Sequence, residues 1–199
     1  EGNSLAEGEI HGQNGGYPIA IALSNDAVKL AVSMININEG SVKSTIAFYN
    51  YGTVGQNEID HCVGVNNYDD MVIPEMEFTS NDRMVVFGDT KAVIFEGAQK
   101  PQAIAEIPMD EKTKSIFYNE HYIGIVTGNE DEAVTNHLAV YDENGKLVME
   151  KDFGLDYSSI EFLTNNEICI RNANVCDIYT VHGVYKFHHE FEEELFEII

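Results

Sequence analysis

IALSNDAVKLAVS (21–33), MEFTSNDRMVVFG (76–88), IFYNEHYIGIVTG (116–128) and IEFLTNNEICIRN (160–172) are four versions of one phrase. Each has an apolar-x-apolar pair, a polar turn rich in Asn and Asp, and then an apolar run. Asn and Asp make such turns because their short side chains hydrogen-bond the neighbouring backbone and tolerate left-handed conformations. The copies start at Ile21, Met76, Ile116 and Ile160, so they lie 55, 40 and 44 residues apart. A self-similar period near 40 marks a repeat architecture, and four short antiparallel strands per repeat is the meander of a β-propeller blade.

Outward from each phrase, the pattern predicts strands at 17–23, 30–35, 44–50 and 58–65, and then at 73–78, 84–88, 92–95 and 103–107. The third repeat gives 115–118, 123–127, 137–141 and 146–152, and the fourth 159–163, 168–171, 176–180 and 184–191. Turns are expected at 24–29, 36–41 and 52–57. Asp142-Glu143-Asn144-Gly145-Lys146 and Thr180-Val181-His182-Gly183 have hairpin chemistry. The blades then cover about 17–66, 67–110, 111–154 and 155–199. Residues 1–16 read as a linker or incomplete edge strand, and the tail 190–199 as a short helix or a further first strand.

Residue usage agrees with an all-β chain: 20 Ile and 17 Val stand against 8 Leu, with 10 Tyr and 10 Phe. β-branched and aromatic side chains suit a pleated surface, where their stiff χ1 costs little. The second strand of each repeat is apolar without alternation, as in Met84-Val85-Val86-Phe87 and Ile123-Gly124-Ile125-Val126, which implies cover on both faces. The fourth strands carry charge, as in Glu150-Lys151-Asp152, which suits a solvent-facing edge. Together they give each repeat a direction, inner to outer. A sandwich or other all-β stack, the alternative, would alternate throughout and would need no long repeat. Four blades are few for a closed ring. The stretch is expected to be a small ring or half of a larger one, with two copies as one way to close it.

The net charge of −23 repels a phosphate backbone and an anionic membrane surface, so nucleic acid and lipid are not expected as partners. It serves solubility, and it leaves room for a cationic partner. No apolar run approaches the ~18 residues that span a bilayer, and no signal peptide is visible. The chain begins at Glu1 without Met, as a processed or truncated chain would. Cys62, Cys169 and Cys176 are too few and too odd in number for a disulfide framework, and are expected as half-buried free thiols. Cys169 and Cys176 flank the turn at 172–174, where a cross-strand bridge is sterically conceivable.

The phrases AVSMININEGSVKSTIAFYNYGTVGQNEIDHCVG (from Ala31), FYNEHYIGIV (from Phe117), LAVYDENGKLVMEKDFGLDYSSIEFL (from Leu138) and CDIYTVHGVYKF (from Cys176) resemble the DUF5711 family of gut-type Firmicutes proteins. The likeness covers roughly 17–191. It implies a membrane-anchored protein with a short cytoplasmic N-terminus, one transmembrane helix and an extracytoplasmic propeller, of which this chain is the C-terminal half. It brings no site residues with it.

Catalytic signatures are absent: there is no Gly-x-Ser-x-Gly elbow, Walker loop, His-Glu-x-x-His or Cys-x-x-Cys. His188 and His189 are adjacent in a strand and so point to opposite faces, as do His61 and Cys62. No cofactor motif appears. The carboxylate-rich loop from Gly128 to Glu132 is where Ca²⁺ would bind, although it lacks EF-hand spacing. Asp69, Asp70 and Asp156 precede first strands, with Tyr68 and Tyr157 beside them. In a propeller those connections sit at the channel mouth, so these five residues are the binding candidates, as an aromatic-acidic rim. The reading is a non-enzymatic binding or scaffold module, an acidic β-propeller whose blade-connecting loops take a protein, peptide or glycan. The runner-up is a carbohydrate- or peptide-acting enzyme, which needs two carboxyl groups ~5–10 Å apart.

Overall fold

The computed structural model describes residues 16–38, 40–52, 61–69, 71–128 and 135–194. They form sixteen strands and no described helix. The first four are β1 (Tyr17–Leu23), β2 (Lys29–Asn38), β3 (Ser41–Asn50) and β4 (Cys62–Asp69), followed by β5 (Glu75–Ser80), β6 (Arg83–Phe87), β7 (Lys91–Glu96) and β8 (Gln102–Pro108). Then come β9 (Thr113–Tyr118), β10 (Tyr122–Gly128), β11 (Asn136–Asp142) and β12 (Leu147–Phe153), and finally β13 (Ser159–Thr164), β14 (Glu167–Arg171), β15 (Val175–Thr180) and β16 (Tyr185–Glu190). Consecutive fours pair in chain order as four antiparallel sheets, each a meander without crossovers.

The chain divides into two compact units, Glu1–Asp110 and Glu111–Ile199, with two sheets in each. In the first unit, β1 lies beside β5. One face of the first sheet, with Ala22, Ala31, Ile46 and Phe48, packs on Met76, Phe78, Met84, Val86, Val93 and Phe95 of the second. Phe48 and Phe95 meet at 5.2 Å between ring centroids. In the second unit β9 lies beside β13. Phe117, Val126, Leu138, Val140 and Met149 pack there on Ile160, Ile168, Ile170 and Tyr179.

The expected apolar second strands are buried on both faces, from Met84 to Phe87 and from Ile168 to Ile170. The third strands follow them, most fully on β7 with Ala92 to Phe95 fully buried and least on β15, where only Cys176 and Tyr179 are buried. The first strands are partly exposed, and on β1 Tyr17, Ile19, Ile21 and Leu23 all reach solvent. Burial therefore peaks at the middle two strands and falls toward both sheet edges, which corrects the single inner-to-outer direction. An edge strand has one hydrogen-bonded neighbour rather than two, so less protein surrounds it.

Among the described residues the fourth strand of the first sheet runs from Cys62, where Tyr49 pairs with Cys62 and Asn50 N–H donates to the His61 carbonyl at 3.0 Å. The expected start of this strand near 58, and the turn expected at 52–57 after Gly52, lie outside the described residues. Polar Asn66-Asn67-Tyr68-Asp69, which reads as a turn, completes the strand against Lys43–Ile46. Likewise β2 and β3 pair as far as Asn38 and Ser41, through the stretch expected as a loop. Both hairpin turns at 142–146 and 180–184 form as read. Gly145 (φ 74°) and Gly183 (φ 80°) take the left-handed positions, and the Asp142 carboxylate accepts from the N–H groups of Asn144 and Lys146 at 2.9 Å. At the chain ends, the expected linker through residue 15 and the expected tail from 195 lie outside the described residues; 191–194 carry neither helix nor strand.

Candidate functional site

A four-stranded meander puts its first and third hairpins at one end, and its middle hairpin with the connection to the next sheet at the other. The connecting end is where the candidate residues fall. In the first unit the connection from β4 to β5 is held from beneath by two serines with no exposed surface. Ser33 Oγ donates to the Ile73 carbonyl at 2.9 Å and Ser44 Oγ to the Met71 carbonyl at 2.6 Å. From the other side Asp89, in the β6–β7 hairpin, accepts from Val72 N–H through its carboxylate at 3.0 Å. Asp89 N–H donates back to the Val72 carbonyl at 3.1 Å.

The second unit solves the same problem with different residues. Buried Asn136 donates from Nδ2 to the Leu155 carbonyl at 3.0 Å and accepts Lys114 Nζ at 3.1 Å. Asn172 Nδ2 donates to the Asp156 carbonyl at 3.2 Å, and Ser158 N–H donates to the Arg171 carbonyl at 2.8 Å. A connection buried between sheets cannot leave its carbonyls unpaired, because each orphan costs about 1–3 kcal/mol. Of these, only Ser33 carries a sequence signal, a small polar residue interrupting the apolar run of β2; Ser44 lies among polar residues of β3 and Asn136 opens β11.

Tyr68 and Asp69 end β4 rather than lying in a loop, and as strand neighbours they face opposite ways. Tyr68 turns inward against the first unit's core, with Lys91 Nζ 5.5 Å from its ring centroid. Burial pushes its hydroxyl pKa up, outweighing the opposing hydrogen bond from Asn66. Asp69 turns outward, 78% exposed, and pairs with Lys43 at 3.0 Å. Asp70 lies outside the described residues. In the second unit Asp156 is exposed. Tyr157 is half-buried, its hydroxyl 2.7 Å from Ser115 Oγ and its ring 5.6 Å from Phe153. The two tyrosines are thus structural staples, and the connecting end of each unit displays a carboxylate, Asp69 in the first and Asp156 in the second.

The opposite end explains the recurring phrase. The turns of the first two copies touch: Asn81 Oδ1 accepts from Asp26 N–H at 3.1 Å, and Lys29 reaches both the Asn81 carbonyl, at 2.6 Å, and the Asp82 carboxylate. Lys29 is 5% exposed. Asp26 is held below the ordinary carboxylate range, chiefly by the Ser24 hydroxyl and then by Val28 N–H. Two histidines lie on the outer strand β16 and one on the middle strand β11. His188 sits 2.7 Å from Asp177 while His189 pairs with Cys176 on the other face. His137 lies 2.8 Å from Asp152. Among the described residues no three His, Cys, Asp or Glu side chains group as metal ligands would. The loop suggested for Ca²⁺ lies outside the described residues after Gly128. Among the described residues no helix is long and apolar enough to cross a membrane.

Four sequential four-stranded meanders with doubly covered middle strands define a β-propeller protein. Solved propellers share the arrangement. The β-propeller domain of the Trilobed protease from Pyrococcus furiosus, which has an open velcro topology, is similar at TM-score 0.53 and 11% identity, over 90% of this chain and 58% of that one. HIRA(644–1017) gives 0.52 and 13%, over 86% and 56%. Pyrococcus horikoshii acylaminoacyl peptidase gives 0.51 and 12%, over 90% and 33%. The chain thus spans little more than half the length of the first two, and identities this low speak to fold alone. The chain belongs to DUF5711, a family of unknown function, whose model matches residues 1–199. No curated protein matches the sequence.

Proposed function

We propose that this is a non-enzymatic recognition module: an acidic propeller segment that binds a polypeptide through the connecting ends of its sheets. The observation that carries this reading is the division of labour at those ends. Buried Ser33, Ser44 and Asn136 fix the backbone and Tyr157 is tied to Ser115, while Asp69 and Asp156 stand in solvent. In each unit a pinned connection beside a displayed carboxylate suits a partner bearing Lys or Arg, and a charge of −23 favours its approach. Hydrolysis would instead need carboxyl groups held together in a pocket. Asp69 is in solvent and paired with Lys43. By family resemblance the module works outside the cytoplasm, carried on a membrane anchor.

The same reading has a second copy meet the exposed apolar face of β1, since this chain covers only 56–58% of two solved propellers of this fold. Sedimentation of the intact chain and of an Ile21→Lys, Leu23→Lys variant tests that part; a monomer at high concentration in both removes it. The recognition reading is tested by affinity capture from native envelope extracts. Wild type should retain a defined partner that Asp156→Lys or Asp69→Lys releases and Glu143→Lys, at the other end, keeps. Identical recoveries from all four chains would refute it.

A further inference from the structure

Strand register places two thiols together on one face of the last sheet. Arg171 pairs with Cys176 and Cys169 with Ile178, so Cys169 and Cys176 are diagonal neighbours across β14 and β15. This is the face opposite the one whose Ile168, Ile170 and Tyr179 build the second unit's core. The Sγ atoms stand 3.6 Å apart, at 1% and 4% residue exposure. Both thiols are free, which agrees with the sequence, but they are buried rather than half-buried.

We propose that Cys169 and Cys176 are a redox-modification site, a dithiol that a small disulfide oxidant closes into a cross-strand disulfide. Three observations support it. The sulfurs are already in van der Waals contact, so a bond of about 2.05 Å requires closing a gap of roughly 1.5 Å by side-chain rotation within one hairpin. The backbone is fixed by hydrogen-bonded pairing along both strands, so the thiols cannot drift apart. The environment around them is thin on one side: Phe187 and His189, which share this face on β16, are exposed, leaving an approach for a small oxidant.

The step balances as thiol–disulfide exchange. Cys176, the more accessible thiol, attacks the oxidant's disulfide as its thiolate, and one oxidant sulfur leaves as a thiol. Cys169 then attacks Cys176 Sγ of the mixed disulfide and releases the second oxidant thiol. Two protein S–H bonds and one oxidant S–S bond give one protein S–S bond and two oxidant S–H bonds. Burial, with the neighbouring Cys176 next, pushes the Cys169 thiol up to about 12, so closure is slow and needs a sustained oxidising poise rather than a brief pulse. The pair thereby separates a reducing compartment, where the hairpin stays open, from an oxidising one, where it is stapled.

The sequence makes the test clean. Trypsin cuts after Arg171, so Cys169 falls in the peptide 152–171, Cys176 in 172–186, and Cys62 in 44–83. The folded intact chain is equilibrated with glutathione at graded oxidised-to-reduced ratios, acid-quenched, alkylated in denaturant, digested and analysed by mass. The expected result is a 152–171/172–186 cross-link that rises to the major species at the oxidised end and returns to two alkylated peptides on reduction. Full alkylation of both at the oxidised end overturns the proposal. So does glutathione carried on Cys176 without a cross-link, or a cross-link through Cys62 instead.

Discussion

A lysine ammonium with almost no exposed surface needs partners, and Lys29 has them in the next sheet's turn. Because Asp82 is itself half in water, Asp82→Ala should cost about 1–2 kcal/mol in urea unfolding, below the loss for a fully buried pair. Gly124 shows the opposite constraint, an absent side chain. A Cβ there would sit 2.2 Å from the Phe117 ring, which crosses the strand to lie over it. Gly124→Ala should destabilise by about 1–3 kcal/mol through overpacking, read as a lower urea midpoint at unchanged slope. Glu167 is held below the ordinary carboxylate range, first by its hydrogen bond to Lys186. A depressed pKa means stability that is present above the unfolded value and lost as pH falls through the folded one. Glu167→Gln should therefore lower stability in the neutral region, converge with wild type at low pH and so flatten the acid limb; an acid limb as steep as that of wild type would count against the pairing. At this scale the sequence was only half legible. Asn-Asp turns were plain, but the contact between the first two turns was not, since residues more than 50 positions apart carry no local mark of touching.

At the scale of strands, the middle pair of each sheet does the holding. Phe95 on β7 has no exposed surface and meets Phe48 of the neighbouring sheet. Phe95→Ala should cost about 3–5 kcal/mol, at the level of other large core truncations. Amide exchange should divide the same way, with β6, β7 and β14 slow and β16, exposed at every residue, fast. Comparable protection on β14 and β16 would contradict the burial pattern. Strand order and identity were readable because apolar runs and Asn-Gly or His-Gly turns act locally. The end of β4, expected at 65, extends to Asp69 because Asn66, Asn67 and Asp69 have turn chemistry and only pairing with β3 makes them strand. The candidate rim suffered from the same error. Tyr68 looked like a loop aromatic, but it is a core-facing strand residue.

For the whole molecule, shape class and charge were legible from composition and period, whereas the buried polar pins of the sheet connections were not. Propeller folds host many activities, so fold alone assigns none. What distinguishes this chain is a strongly acidic surface on sheets whose connecting ends are internally pinned. Recognition without bond chemistry is tested most directly by presenting the intact chain with matched basic, neutral and acidic peptides and with neutral glycans. Retention is measured across a salt series, and every probe is recovered for mass analysis. The expected result is selective retention of basic peptides, weakening as salt rises, with all probes recovered whole. Cleaved peptides or shortened glycans, or retention indifferent to both charge and salt, would contradict it.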